Sequence, residues 1–219
     1  MSEITRYQNR FNAGELLAEE VVQALAGLDA PVRVYALPRG GIPVAVPIAK
    51  RLNCALDVLA AKKIALPANP ELALGAITPD GTTVWNQRSG LELAQGREKA
   101  LASAIAQQEE FNPYCPSASV KDSIVILVDD GIATGMTMFA AVKALRKQAP
   151  AQIWLAVPVA PLEIKPQLEQ SCDCAIILQT PDPFWNVGRF YEEFSQVSTK
   201  EAIAQVSAQA KRAKSHPQP

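Results

Sequence analysis

The stretch Ile124-Val125-Ile126-Leu127-Val128-Asp129-Asp130-Gly131-Ile132-Ala133-Thr134-Gly135-Met136-Thr137 decides how this chain is read. Five consecutive aliphatic residues without polar alternation indicate a strand buried on both faces. Two acids end the apolar run, a loop of small residues follows, and a helical pattern runs from about Thr134 to Lys147. Working outward, strand-like runs recur at Val32–Leu37, Leu56–Ala61, Ile153–Val159 and Cys174–Leu178. Helical patterns separate them at about Pro43–Leu52, Leu91–Phe111 and Leu162–Gln170. Near the start, Asn12 with Glu15 reads as a helix-start signal, with Leu17, Val21, Ala24, Leu25 and Leu28 on one face. In the helix before the central strand, Leu93, Leu101, Ala104 and Ile105 are the expected buried side. A last helix opens with the capping box Ser198-x-x-Glu201 and carries Ile203, Val206 and Ala210. Strands separated by helices predict an α/β fold with a parallel, Rossmann-like sheet covered on both faces. In such sheets ligands sit at the carboxyl ends of strands, in the strand-to-helix turns.

Each part of the central turn has a physical use. Gly131 and Gly135 let the backbone turn tightly and approach a ligand. The amides of Ala133, Thr134, Gly135, Met136 and Thr137 meet a helix N-terminus, where phosphate is favoured, and the two threonine hydroxyls are added donors. Asp129 and Asp130 just before them are acceptor-only groups suited to a pair of vicinal hydroxyls. Phosphate donors beside hydroxyl acceptors describe a binder of ribose 5-phosphate. A Walker motif G-x-x-x-x-G-K-[ST] and a dinucleotide fingerprint G-x-G-x-x-G are both absent from the chain.

The run resembles the phosphoribosyl pyrophosphate (PRPP) motif of type I phosphoribosyltransferases: an apolar strand, two acids and a loop ending Thr-Gly-x-Thr. The resemblance implies that Asp129 and Asp130 hold the ribose hydroxyls and that Ala133 to Thr137 hold the 5-phosphate. It also implies catalysis of 5-phosphoribosyl transfer to a nitrogenous, purine-like base, with Mg²⁺ held mainly by substrate oxygens and water, in a homodimer. Two positions depart from the usual pattern. Gly131 replaces an aliphatic residue, which predicts a more mobile loop. Ala133 stands where enzymes for 6-oxopurines carry an acid, although adenine enzymes also have Ala there.

Three further segments join this reading. Leu37-Pro38-Arg39-Gly40-Gly41 closes the first strand, and Arg39, Gly40 and Gly41 match the family's pyrophosphate loop; an ordinary turn is the alternative. Lys62-Lys63 is expected to end the next strand and to open a long loop or hairpin excursion over 62–90, containing Pro67, Pro70 and a Pro79-Asp80-Gly81 turn. Lys63 is the candidate pyrophosphate contact, and a solvated lysine pair is the alternative. Glu71 reads as a loop partner, a base or a surface residue. Pro181-Asp182-Pro183-Phe184-Trp185-Asn186-Val187-Gly188 is similar to the hood of purine phosphoribosyltransferases. There Trp185 would stack on the base and the backbone at Val187 would read its edge; packing of a C-terminal flap is the alternative. A non-catalytic PRPP-binding regulator is the rival to an enzyme.

Composition bounds the remainder. The 219 residues carry 21 Lys plus Arg against 22 Asp plus Glu, a net charge of −1, which removes a whole-chain electrostatic case for nucleic acid. One domain over 1–214 is expected, with a hood at 179–198 and a disordered tail at 215–219. Four cysteines without a C-x-x-C pair and a single histidine, His216, leave too few ligands for a zinc site, so no protein metal site is expected. Met1–Phe11 has no apolar signal core. The apolar run Ala151–Leu162 contains two prolines and falls short of the roughly 20 residues a membrane span needs. The expected location is the cytoplasm, without membrane partners.

Overall fold

A computed structural model describes residues 6–66, 69–86, 94–115 and 119–215, with the side chains of 66, 69–73, 94, 214 and 215 excepted. The apolar run at its centre forms β6 (Ile124–Val128), and every residue of it is buried. It lies in the middle of a five-stranded parallel sheet with β1 (Val32–Ala36), β2 (Leu56–Val58), β7 (Gln152–Val159) and β8 (Cys174–Gln179), in the order β2-β1-β6-β7-β8. Register aligns Ala36 with Val58 and with Val128, so β2, β1 and β6 end at one level, while β7 runs on three residues past Ala156, the partner of Val128. The α/β expectation holds.

Alternate residues of β6 feed two separate cores. Ile124, Ile126 and Val128 pack with Val34, Leu56 and Trp154 beneath α1 (Arg10–Ala24), α2 (Gly41–Arg51) and α6 (Thr199–Ser215). Val125 and Leu127 pack with Ile153, Leu155 and Val157 beneath α4 (Met136–Arg146) and α5 (Lys165–Ser171). A strand with both faces buried cannot alternate in polarity, which is why it reads as a continuous apolar run. Truncating a fully buried residue such as Leu127 to alanine costs about 2–5 kcal/mol.

Of the loop or hairpin expected over 62–90, the described residues form the hairpin. β3 (Lys62–Leu66), β4 (Asn69–Ile77) and β5 (Thr83–Trp85) form an antiparallel sheet. Ile64 and Ile77 are buried against Ala100 of α3 (Ala94–Phe111). Lys62-Lys63 therefore begins a strand rather than ending one, because the chain breaks after β2 and re-enters in the antiparallel sheet.

Other differences are local. The Asn9 side chain, not Asn12, caps α1 by accepting from the Asn12 amide at 3.0 Å. Because that helix ends at Ala24, Leu28 falls beyond it and is exposed, and Ala24 is exposed as well. On α3, Ala104 is buried and Leu101 half-buried while Ile105 is exposed, and Leu93 lies outside the described residues. Leu162–Ile164 forms a 3-10 turn ahead of α5. The Ser198–Glu201 capping box forms as expected, the Glu201 amide donating to Ser198 Oγ at 3.2 Å. Ser215 ends α6 instead of opening a tail, and 216–219 lie outside the described residues. All four cysteines are free, and no described helix is long and apolar enough to cross a membrane.

Candidate functional site

The site is built where β1 and β6 end side by side. Leu37 leaves β1 with its amide donating to the Val128 carbonyl at 2.9 Å. The Pro38–Arg39 peptide is cis. The chain then passes over the acid pair through Gly40 and Gly41, and α2 starts. A Cβ on Gly40 would overlap the Asp130 carboxylate, and one on Gly41 would lie 2.7 Å from the Val128 carbonyl oxygen. This loop runs directly against the two acids, and only glycine fits there.

Asp129 and Asp130 are held in unlike ways. The Asp129 carboxylate accepts from the Asp130 amide at 2.8 Å. Burial pushes the Asp129 carboxyl well up, and the neighbouring Asp130 charge adds to that. Burial also raises Asp130, but the Arg10 guanidinium opposes it by donating from Nε to Oδ2 at 2.7 Å. Two adjacent carboxylates in one buried site do not ionise independently. Asp130, next to the cation, is the better-supported anion and Asp129 the better-supported proton carrier. The Tyr191 hydroxyl donates to the Asp130 main-chain oxygen at 2.6 Å, and burial holds that phenol far above the usual range.

The phosphate-binding candidate follows at once. The Ile132 amide donates to the Val159 carbonyl at 2.9 Å, which pins the loop to β7. The amides of Ala133, Thr134, Gly135, Met136 and Thr137 make no hydrogen bond to a described residue. Gly135 caps α4 with a φ of 74°, and Ala133 and Thr134 are exposed. Unpaired amides at a helix start favour an anion.

Gly131 does not loosen this loop. A Cβ there would lie 2.6 Å from Val187 Cγ1 and 2.9 Å from Val159 Cγ1, so the hood occupies the space that an aliphatic side chain would need. Val187 is thus seated on the acid loop. Trp185, two residues earlier, is 70% exposed, with the Arg189 guanidinium 5.7 Å from its ring. A large aromatic left in water at the rim of a site is suited to stacking on a flat ligand.

The basic residues divide by strand alternation. Lys63 is exposed, whereas Lys62, on the opposite face of β3, is half-buried. Burial lowers the Lys62 ammonium, and the Arg39 guanidinium lowers it further. Lys62 thus lies in the field of Arg39. Arg39 itself donates from Nη1 to Thr199 Oγ1 at 3.3 Å. The side chain of Glu71 lies outside the described residues.

Two groups that hold the acid pair escape a reading of the sequence: Arg10 and Tyr191. Arg10 did leave a trace, because a cation in the first turn of a helix opposes the helix dipole and needs an outside partner.

Residues 1–191 match the phosphoribosyl transferase domain. The chain belongs to the phosphoribosyl transferase family. It is 37% identical over 205 residues to two Mycobacterium tuberculosis proteins, each named "Putative phosphoribosyl transferase". That match covers 90% of this chain and 46% of theirs, so the chain spans about half the length of those curated relatives. The crystal structure of the Thermus thermophilus protein TT1426 is 36% identical, covers 93% of this chain and 99% of its own, and superposes with a TM-score of 0.77. A Neisseria gonorrhoeae hypothetical protein, solved with bound ppGpp, shares the fold at 15% identity and a TM-score of 0.51, covering 93% of this chain and 94% of its own. The phosphoribosyl transferase fold of this chain thus carries the acid pair, the glycine loop and the hood at one end of its sheet.

Proposed function

We propose that this phosphoribosyl transferase moves a 5-phosphoribosyl group from PRPP to a nitrogenous, purine-like base and releases pyrophosphate. The observation that carries the reading is the seat of the acid pair. Two half-buried carboxylates close the central strand, the Gly40-Gly41 backbone passes over them, and a run of unpaired amides follows. Ribose hydroxyls need acceptors, a 5-phosphate needs amide donors, and a pyrophosphate needs backbone that can approach closely.

In the reaction the C1–O bond to pyrophosphate breaks, a C1–N bond to the base forms, and the base nitrogen loses its proton. The transition state is oxocarbenium-like, so carboxylates near C1 and cations near the leaving group both lower its energy. The Asp129-Asp130 pair, with Asp130 the anion beside Arg10, supplies the first. Arg39, with Lys62 or Lys63, supplies the second, and the exposed Trp185 with the Val187 backbone receives the base. No group of three or more histidines, cysteines or acids placed to hold a metal ion occurs among the described residues. The hard oxygen donors of substrate phosphates, ribose and water suit Mg²⁺, which when bound would neutralise the leaving pyrophosphate.

The test is base-dependent pyrophosphate release from PRPP with a panel of bases. The double variant Asp129→Asn plus Asp130→Asn is expected to abolish release and keep the fold; unchanged release in it refutes the assignment. The rival, a PRPP-binding regulator, has support in the Arg10 ion pair that already engages Asp130. Calorimetric binding of PRPP without release for any base decides for the regulator.

A further inference from the structure

Arg10 stands at the first position of α1, yet its guanidinium meets three groups on two segments outside that helix. Nε donates to Asp130 Oδ2 at 2.7 Å, Nη1 donates to the Ser195 carbonyl at 2.8 Å, and the group lies 3.8 Å from the centre of the Phe194 ring. The side chains of Arg10 and Asp130 are 11% and 16% exposed, so this pair is shielded from water. The surrounding backbone ties the residues before Arg10 to the 190–193 segment. The Tyr7 amide donates to the Phe190 carbonyl, and the Glu192 and Glu193 amides donate to the Tyr7 and Gln8 carbonyls. Phe194 in turn stacks on Tyr191, whose hydroxyl reaches the Asp130 main chain.

We propose that Arg10 is a positioning residue of the acid pair: it orients Asp130 for the ribose hydroxyls and couples that orientation to the 191–195 segment beside the site. This rests on the PRPP reading above. A guanidinium suits the task because its planar fork donates in two directions at once, which a lysine ammonium cannot match in geometry.

The charged and titratable groups facing Asp130 are few. Asp129 comes from the end of β6, Arg10 from α1, Tyr191 from the hood, and Tyr7 lies behind Tyr191. The glycine loop adds only backbone at this point, since Arg39 turns to Thr199. Arg10 is the cation that acts on both acids among the described groups. Burial raises both carboxyls even with Arg10 in place, and without that cation the pair keeps its proton to higher pH; a protonated carboxyl turns one acceptor into a donor. The vicinal diol then loses an acceptor at neutral pH and regains it as the pH rises.

The experiment compares wild type, Arg10→Met and Arg10→Lys by ¹³C-carboxyl NMR titration of the aspartates and by PRPP calorimetry from about pH 6.5 to 8.5. Arg10→Met is expected to titrate the pair at higher pH and to bind PRPP about tenfold or more weakly at the acid end, the gap narrowing toward the alkaline end. Arg10→Lys restores the carboxylate titration but recovers only part of the affinity, having lost the second arm to Ser195. Should Arg10→Met not fold, Arg10→Lys binding PRPP like wild type at every pH overturns the coupling. An unchanged carboxylate titration in Arg10→Met overturns the inference whatever PRPP does. A shifted titration in Arg10→Met, with no PRPP binding to wild type, supports the hold of Arg10 on Asp130 and refutes the PRPP reading instead.

Discussion

Gly131→Ala probes how closely the hood sits on the acid loop. The added Cβ would meet Val187 Cγ1 at 2.6 Å and Val159 Cγ1 at 2.9 Å. Carbon atoms in contact settle at about 3.5–4.0 Å, so one wall must retreat by about 1 Å. Neither neighbour yields readily. Both are β-branched and stiff at χ1, and Val159 is fully buried in β7. Overpacking of this kind costs about 1–3 kcal/mol. In a chain of this size each kcal/mol lowers Tm by about 2–4 °C, so a fall of about 2–12 °C is expected by scanning calorimetry. The loss should reside in one contact. Adding Val187→Ala to Gly131→Ala removes the nearer wall, and the cycle should show a coupling of about 0.5–3 kcal/mol in favour of the double variant. If Gly131→Ala melts with wild type, or Val187→Ala leaves its deficit unchanged, the hood is not seated on the loop and the argument fails.

Trp185→Ala should leave stability within about 0.5 kcal/mol of wild type, since the ring is 70% exposed, yet weaken base binding about 10- to 100-fold as judged by KM for the base. Lys62→Ala should raise KM for PRPP about tenfold or more and Lys63→Ala should hardly change it, because Lys62 shares the field of Arg39 and Lys63 is solvated; the reverse order would restore Lys63 as the pyrophosphate contact. Asp57, 4% exposed and with Oδ2 lacking a hydrogen-bond partner among the described residues, has its carboxyl pushed up to about 7 by burial against a weaker pull from Arg33. The unfolded chain ionises this group near about pH 4, so between there and about pH 7 it binds fewer protons than the folded one, and stability falls as pH rises through that window. Asp57→Asn should flatten this part of the Tm profile, and an unaltered slope would place its origin elsewhere.

The legible and illegible parts of the molecule divide by the range of the interactions involved. β6 is legible because burial on both faces demands five consecutive aliphatic residues, and that demand is written in adjacent positions. The Ser198–Glu201 box is legible for the same reason, its partners being three residues apart. The start of α1 is ambiguous in sequence because Asn9 and Asn12 are both competent caps, and packing of Ala13, Leu17 and Val21 chooses between them. The 62–90 segment reads as an excursion because its prolines and turn residues are local signals. Its three strands depend on pairing such as Lys62 with Ile77, and on cover from α3.

The sequence by itself determined the alternation of strands and helices, the acid pair at the end of the central strand and the run of amides after it. All of these follow from neighbours in the chain. Only the tertiary structure decided what surrounds the acids. It set Arg10 against Asp130 across 120 positions of sequence and placed Val187 where Gly131 has no side chain. It also half-buried Lys62 in the field of Arg39 and left Lys63 exposed. Charge state and access at a buried pair depend on whatever the fold brings within a few ångströms, and sequence distance carries no record of that.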